Sequence, residues 1–246
     1  MDIKMAWIEQ DRRNAYILTI IDTFTRVVLH WVMGYRMRWA QVKAAWEQVI
    51  VTHLQPADLL RKALHIELRN DNGPQFAATR IREFLKENHI SQVFTHPYTP
   101  QENGHIESFH AILKKCIQQG PVWLFAELEQ RLTLFYEKYN NERLHGSLAF
   151  LPPHTFWQLW NTDKIERIEL SQKKVKFKLK IPRYKISGNM NLREVPCSNS
   201  KPLNGGENLP GSEVNGPETP QTTSVQQSPS VVPCSNKVTN DKIILQ

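Results

Sequence analysis

The sequence predicts an α/β fold, a mixed sheet flanked by helices, and two observations carry that prediction. Short alternating or continuous apolar runs at residues 3–9, 15–21, 26–34, 64–68 and 91–94 read as strands. Apolar residues spaced by three and four mark amphipathic helices at 41–53, 79–88, from 102 to 119, and at 123–139. The order is therefore strand, strand, strand, helix, strand, helix, strand, helix, helix. With 246 residues, 40% of them hydrophobic, the chain suits one mid-sized domain plus appendages.

Each element follows from its residues. Residues 15–21 (Ala-Tyr-Ile-Leu-Thr-Ile-Ile) are almost wholly apolar, which predicts a strand buried on both faces. Short links on either side, the second through Asp22-Thr23-Phe24-Thr25, predict an antiparallel meander with the strands at 3–9 and 26–34. Val42, Ala45, Trp46, Val49 and Ile50 give the first helix its apolar face, and Pro56 ends it. After the strand at 64–68, Asn72-Gly73-Pro74 breaks regular structure, so Asp71 stands at a strand's end. Ile81, Phe84 and Leu85 define the helix at 79–88. A polar, Pro-rich loop at 95–103 then leads to a helix whose apolar positions are Ile106, Phe109, Ile112, Leu113, Cys116 and Ile117. Asn103 suits its cap, and Glu107 stands near its start.

Between Asp71 and Glu107 lie residues 72–106, and that spacing alone means little. The flanking residues are specific. Asp71-Asn72-Gly73-Pro74-Gln75-Phe76, then Pro97-Tyr98-Thr99-Pro100-Gln101-Glu102-Asn103-Gly104-His105-Ile106-Glu107, with Asp2-Ile3-Lys4 near the start, resemble the catalytic core of DDE transposases and retroviral-type integrases. The resemblance is closest to bacterial insertion-sequence transposases whose second reading frame carries that core, and it covers residues 2–157. The stretch from Tyr139 to Leu148, followed by Pro152-Pro153, is similar to the end of the same core.

The resemblance implies a ribonuclease H-like fold with a five-stranded mixed sheet, and transposition or integration of DNA. It implies that Asp2, Asp71 and Glu107 are the catalytic residues and hold two Mg²⁺ or Mn²⁺ ions. That set suits the chemistry, because an oxygen nucleophile must reach a phosphorus wrapped in negative charge, and paired divalent ions can activate the incoming and stabilise the leaving oxygen. Mg²⁺ prefers hard oxygen ligands and keeps several waters, so a few carboxylates suffice. Asp22 also ends a strand and competes with Asp2, but the resemblance assigns it to a separate Asp22–Arg26 turn, whose plain reading is an Asp–Arg contact. Lys114 stands two helical turns after Glu107 on the same face, and is either a DNA contact or a surface lysine. Tyr98 and Asn103 lie in the loop expected to touch DNA, Tyr98 being either a base-stacking ring or a packed aromatic. Arg143 and His145 either bind phosphate or lock the last helix of the core.

Residues 164–185 contain nine Lys or Arg and two Glu. From Lys174 to Ile181 the alternation predicts a strand with Lys174, Lys176, Lys178 and Lys180 on one face and Val175, Phe177, Leu179 and Ile181 on the other. That lysine row is read as a DNA-backbone surface; a row of edge lysines that discourages aggregation is the alternative. From residue 197 Asn, Ser, Pro, Gly, Thr and Gln dominate, which predicts a disordered tail. The expected domains are a catalytic core at 1–160, a small basic β segment at 161–196, and the tail at 197–246.

A formal net charge of +7 fits a polyanionic partner. Three cysteines, Cys116, Cys197 and Cys234, lack metal spacing and suit a reducing bacterial cytosol, and no apolar run is long enough to span a membrane. The histidines lack zincin spacing. The expected partners are DNA ends and target, further copies of the chain, and an upstream-frame helix-turn-helix protein. Members of the resembled family carry residues ahead of the first Asp, so this chain reads as N-terminally truncated, with weak metal binding expected of it alone. An inactive DNA-binding remnant and a ribonuclease H-type nuclease are the alternative functions.

Overall fold

The computed structural model describes residues 1–60, 65–95, 100–171, 174–187 and 243–245. By compactness the chain divides into two units, Met1–Ile181 with Val232–Gln246, and Pro182–Val231. The described part of the second unit, residues 182–187, contains a short helix at Tyr184–Ser187.

The first unit opens with the expected meander: β1 (Asp2–Ile8), β2 (Arg13–Ile21) and β3 (Val28–Gly34), antiparallel in that order. Helix α1 (Trp39–Val49) runs on into one wider π-helical turn at Ile50–Leu54. β4 (Ile66–Asn70), α2 (Pro74–Ala77), α3 (Thr79–Glu87) and β5 (Ile90–Phe94) follow, with β4 and β5 parallel in the register Ile66 to Ile90. Next come α4 (Pro100–Ile117), α5 (Phe125–Asn141) and α6 (Pro153–Asn161). β6 (Ile165–Ser171) and β7 (Lys174–Leu179) form an antiparallel hairpin, and β8 (Ile243–Leu245) lies parallel to β4 on its other edge.

The period-two alternation of β2 produces the layering. Leu18 and Ile20 bury against Val42, Ala45 and Trp46 of α1 and Ile81 and Leu85 of α3. Ala15, Ile17 and Ile21 bury on the opposite face against Ile106, Phe109 and Leu113 of α4 and Leu128, Leu132 and Tyr136 of α5. Each large side chain so enclosed contributes about 1.5–3 kcal/mol, so β2 is the spine of the unit. Its one buried hydroxyl, on Thr19, is satisfied by Tyr136 Oη at 2.7 Å. The two ladders β1–β3 and β4–β5 meet at Met1, whose amine donates to the Arg69 carbonyl at 2.7 Å. The antiparallel β1–β3 ladder and the parallel β4–β5 ladder, flanked by helices, have the strand order of a ribonuclease H-like fold, but among the described residues they are two separate ladders and not one five-stranded sheet, with β8 on the second edge of β4.

Several expectations change. Helix α4 begins at Pro100, so Asn103 lies within its first turn rather than capping it; Pro at the first helical position costs no hydrogen bond. The hairpin from the basic stretch packs onto the core, because Phe177 joins Phe24, Phe156 and Trp160 in an edge-to-face cluster with centroids 5.0–5.8 Å from Phe177. Most of the tail at 197–246 is outside the described residues, but Ile243–Leu245, its longest run of apolar residues, is a strand instead of a disordered segment. Among the described residues no helix is long and apolar enough to cross a membrane.

Candidate active site

Asp71 follows directly on Asn70, the last residue of β4, and a polar framework fixes the chain there. Asn70 is buried; its side chain donates to the Asp71 carbonyl at 2.7 Å and accepts from Gln92 Nε2 at 3.0 Å. The same Gln92 amide donates to the Phe76 carbonyl, and the Thr95 N–H donates to the Asn70 carbonyl, both at 3.0 Å. The Asp71 carboxylate accepts from the Gly73 N–H at 3.1 Å and is exposed. A Cβ on Gly73 would sit 2.3 Å from Gln75 Nε2 and 3.1 Å from Asp71 Oδ1, so close approach is what calls for glycine here.

Asp2 opens β1, next to that strand end. The Met1 amine is bonded to Arg69, and both Asp2 and Asp71 act on it electrostatically. Burial pulls its pKa down to about 5 and the two carboxylates oppose the fall. Oδ1 of Asp2 accepts from the Ile3 N–H, and Oδ2 lies 3.0 Å from Nδ1 of His110 and 4.0 Å from Lys4 Nζ. The His110 contact is a close approach without the alignment of a hydrogen bond. Burial works to raise the pKa of Asp2, but His110, the Ile3 N–H and Lys4 outweigh it and hold the carboxyl below its usual range.

His110 is the residue that sequence reading missed. It is buried on α4 one turn after Glu107, so the helix that carries Glu107 also touches Asp2. The available signal was its i,i+3 spacing from Glu107. Glu107 and Lys114 are both exposed, two turns apart on the same helix. Among the described residues, no three His, Cys, Asp or Glu groups stand close enough together to hold a metal ion. Local donors account for part of this: Asp2 is turned toward Ile3 and His110, and Asp71 toward Gly73. The donor set itself, three carboxylates of which two are exposed, fits a hard divalent cation.

The other expected positions fall as follows. Asp22 is occupied by its own turn: the N–H groups of Phe24 and Thr25 donate to it at 3.1 and 3.0 Å, the Thr25 hydroxyl adds a third bond, and burial raises its pKa above the usual carboxylate range. That turn matches the plain structural reading of Asp22, though its carboxylate bonds go to Phe24 and Thr25, while Arg26 acts on the carboxylate through its charge and donates its own N–H to the Asp22 carbonyl at 2.9 Å. Tyr98 lies outside the described residues, as does the side chain of Asn103. Lys176 and Lys178 are exposed on β7, opposite Ile168 and Glu166; Lys180 lies just past the strand and pairs with Asp163 at 3.0 Å. Lys174 is the first residue of β7. The end of α5 is locked by Asn140, whose side chain brackets Val28 with bonds of 2.9 and 3.0 Å.

Two family models, each described as Integrase core domain, match residues 1–100 and 88–153, overlapping between them. The transposase for insertion sequence element IS904 of Lactococcus lactis is 26% identical over 155 residues, covering 62% of this chain and 58% of that protein. The putative integrase ORF3 of Spiroplasma virus SpV1-C74 is 31% identical over 167 residues, covering 58% of this chain and 42% of its own length. The catalytic core domain of BIV integrase superposes with a TM-score of 0.47 at 21% identity, over 66% of this chain and 95% of that one. The chain thus spans about half the length of these curated relatives. With the two matches together running from β1 through α5, and with acids at the start of β1, just past β4 and two turns into α4, residues 1–153 form an integrase core domain, the catalytic core of DDE transposases and integrases.

Proposed function

We propose that this chain is the catalytic part of a transposase, a metal-dependent polynucleotidyl transferase that cuts and joins DNA strands by in-line phosphoryl transfer. The observation that carries the reading is the arrangement at one end of the sheet. Asp2 and Asp71 sit on adjoining strand ends around Met1, and α4 brings His110 onto Asp2 with Glu107 one turn away. Asp2, Asp71 and Glu107 would hold two Mg²⁺ or Mn²⁺ ions, which when bound activate the attacking oxygen and stabilise the departing one. His110 and the Ile3 N–H set the orientation of Asp2, and the Gly73 N–H sets that of Asp71. Asn70, Gln92 and Thr95 keep the Asp71 turn from drifting. Lys114, and Lys174, Lys176 and Lys178 on the hairpin, supply charge for the DNA backbone, with Tyr98 and Asn103 at the approach to α4. In this reading two copies pair two DNA ends, a helix-turn-helix partner reads the end sequence, and the work is done where bacterial DNA lies, in the cytosol.

The test uses labelled element-end duplex, plain duplex and RNA–DNA hybrid with Mg²⁺ or Mn²⁺, comparing wild type with Asp71→Asn and Glu107→Gln. Cleavage or joining of the end duplex that both variants lose by at least 10³-fold supports the reading. Activity on the hybrid alone, or activity indifferent to both substitutions, overturns it.

A further inference from the structure

Strand β4 has two edges, and both ends of the chain meet on one of them. Ile66, Glu67 and Leu68 are buried, so their peptide groups need hydrogen-bond partners. Peptide groups of successive residues in a strand point to opposite edges. The Asn70 carbonyl accepts from the N–H of Thr95, the residue after Phe94, which is the register partner of Asn70 on β5. Ile66, Leu68 and Asn70 therefore serve β5, and Glu67 and Arg69 serve the opposite edge.

That opposite edge carries β8. Ile66 pairs with Ile243, Glu67 with Ile244 and Leu68 with Leu245, all parallel. The pattern that joins Thr95 to Asn70 points the Leu245 N–H at the Glu67 carbonyl, and the Glu67 N–H at the Ile243 carbonyl. Farther along the same edge, the Arg69 carbonyl accepts from the Met1 amine at 2.7 Å. Strand β1 begins at the next residue, Asp2, which pairs with Thr19 of β2. Met1 is fixed by its side chain as well, since its buried sulfur accepts from Trp46 Nε1 at 3.1 Å. The line of partners along this edge thus runs Ile243, Ile244, Leu245, then Met1, and on into β1.

We propose that β8 and β1 form one split strand along β4, so that the C-terminal segment Ile243–Leu245 is the chain's own ligand for a strand-docking edge that ends at Met1 and Asp2. Two β-branched residues and a leucine suit a strand. Docked, the segment closes an edge that otherwise offers itself to other chains. It also bridges the antiparallel ladder β1–β3 and the parallel ladder β4–β5, which have only the Met1–Arg69 bond at this seam. The tail thereby gains a role in assembling the sheet, and that role holds whether or not the chain is a transposase.

The experiment follows residue-resolved hydrogen exchange in the full-length chain, comparing wild type with Leu245→Pro, which deletes the N–H, and Leu245→Val, which keeps it. In wild type the Glu67 amide should be protected. Leu245→Pro should undock the segment and speed exchange at Glu67 by about tenfold or more, leaving the Leu68 amide, which points toward β5, unchanged. Leu245→Val should match wild type. A Glu67 amide that exchanges alike in wild type and Leu245→Pro overturns the proposal. A second measurement decides the case in which Leu245→Pro loosens the whole unit: Glu67→Cys is combined with Ile244→Cys, the chain is oxidised, and a 67–244 link is sought by mass spectrometry. A link in a species of monomer mass supports the split strand. A link found only at dimer mass gives the edge to a second copy, and no link gives it to some other occupant; both overturn the proposal.

Discussion

Nδ1 of His110 stands 3.0 Å from Oδ2 of Asp2, tying the middle of α4 to the first residue of β1. The contact orients a carboxylate that accepts from the Ile3 N–H through its other oxygen. Replacing His110 by Ala should raise the Mg²⁺ concentration for half-maximal strand joining by about tenfold, the usual scale for a residue that orients a metal-holding side chain. A metal titration of activity, with DNA affinity measured separately and expected unchanged, checks it.

Gly73→Ala separates stability from function. The backbone of Gly73, at φ −58° and ψ 140°, is open to any residue, so the melting temperature should shift little. The new Cβ would press on the end of the Gln75 side chain, which can move, and on Asp71 Oδ1 at 3.1 Å. Activity should fall by tenfold or more while the chain stays folded, as thermal melting and strand-joining assays on one preparation would show.

Phe177→Ala should remove the centre of the cluster with Phe24, Phe156 and Trp160. A loss of about 2–3 kcal/mol is expected for a partly buried aromatic, and the hairpin β6–β7 should become open to proteolysis before the rest of the first unit. Limited trypsin digestion, read by mass spectrometry, would show whether cleavage within 164–180 comes first.

The lysines of β7 are not equivalent. Lys178 faces Glu166 across the hairpin, whereas Lys176 faces Ile168. Replacing both by Gln should flatten the salt dependence of DNA affinity by up to about 2 units of slope, with Lys176→Gln giving the larger single effect. An unchanged slope in the double variant removes the hairpin from the DNA surface.

Asp22 gives a pH signature. Burial raises its folded pKa above the unfolded value, so in the window between the two the folded state binds more protons than the unfolded one. Its contribution therefore favours folding at acid pH and falls as pH rises through that window. Asp22→Asn keeps an acceptor for the turn and removes the titration, so urea unfolding from pH 4 to pH 7 should show a wild-type decline that the variant lacks.

The alternation of β2, the three-and-four spacing of α1, α3, α4 and α5, and the breaks at Pro56 and Asn72-Gly73-Pro74 are local features, so their elements were readable from the chain. Less local outcomes were not. Wider turns such as Ile50–Leu54 depend on what the helix packs against, and α6 followed an aromatic cluster whose other members lie elsewhere in sequence. β8 needed the open edge of β4, more than 170 residues earlier.

The place of Asp71 at a strand's end and of Glu107 on a helix was legible in the sequence, because Gly, Pro and apolar periodicity act over a few residues; grouping them with Asp2 came from the motifs that resemble the family. Tertiary structure decided what surrounds them. His110 on Asp2, Gly73 on Asp71, and Arg26 with His105 are contacts between distant segments or depend on an approach of a few tenths of an ångström. Such contacts arise only once β1, β4 and α4 are packed together, since packing converts separation along the chain into proximity.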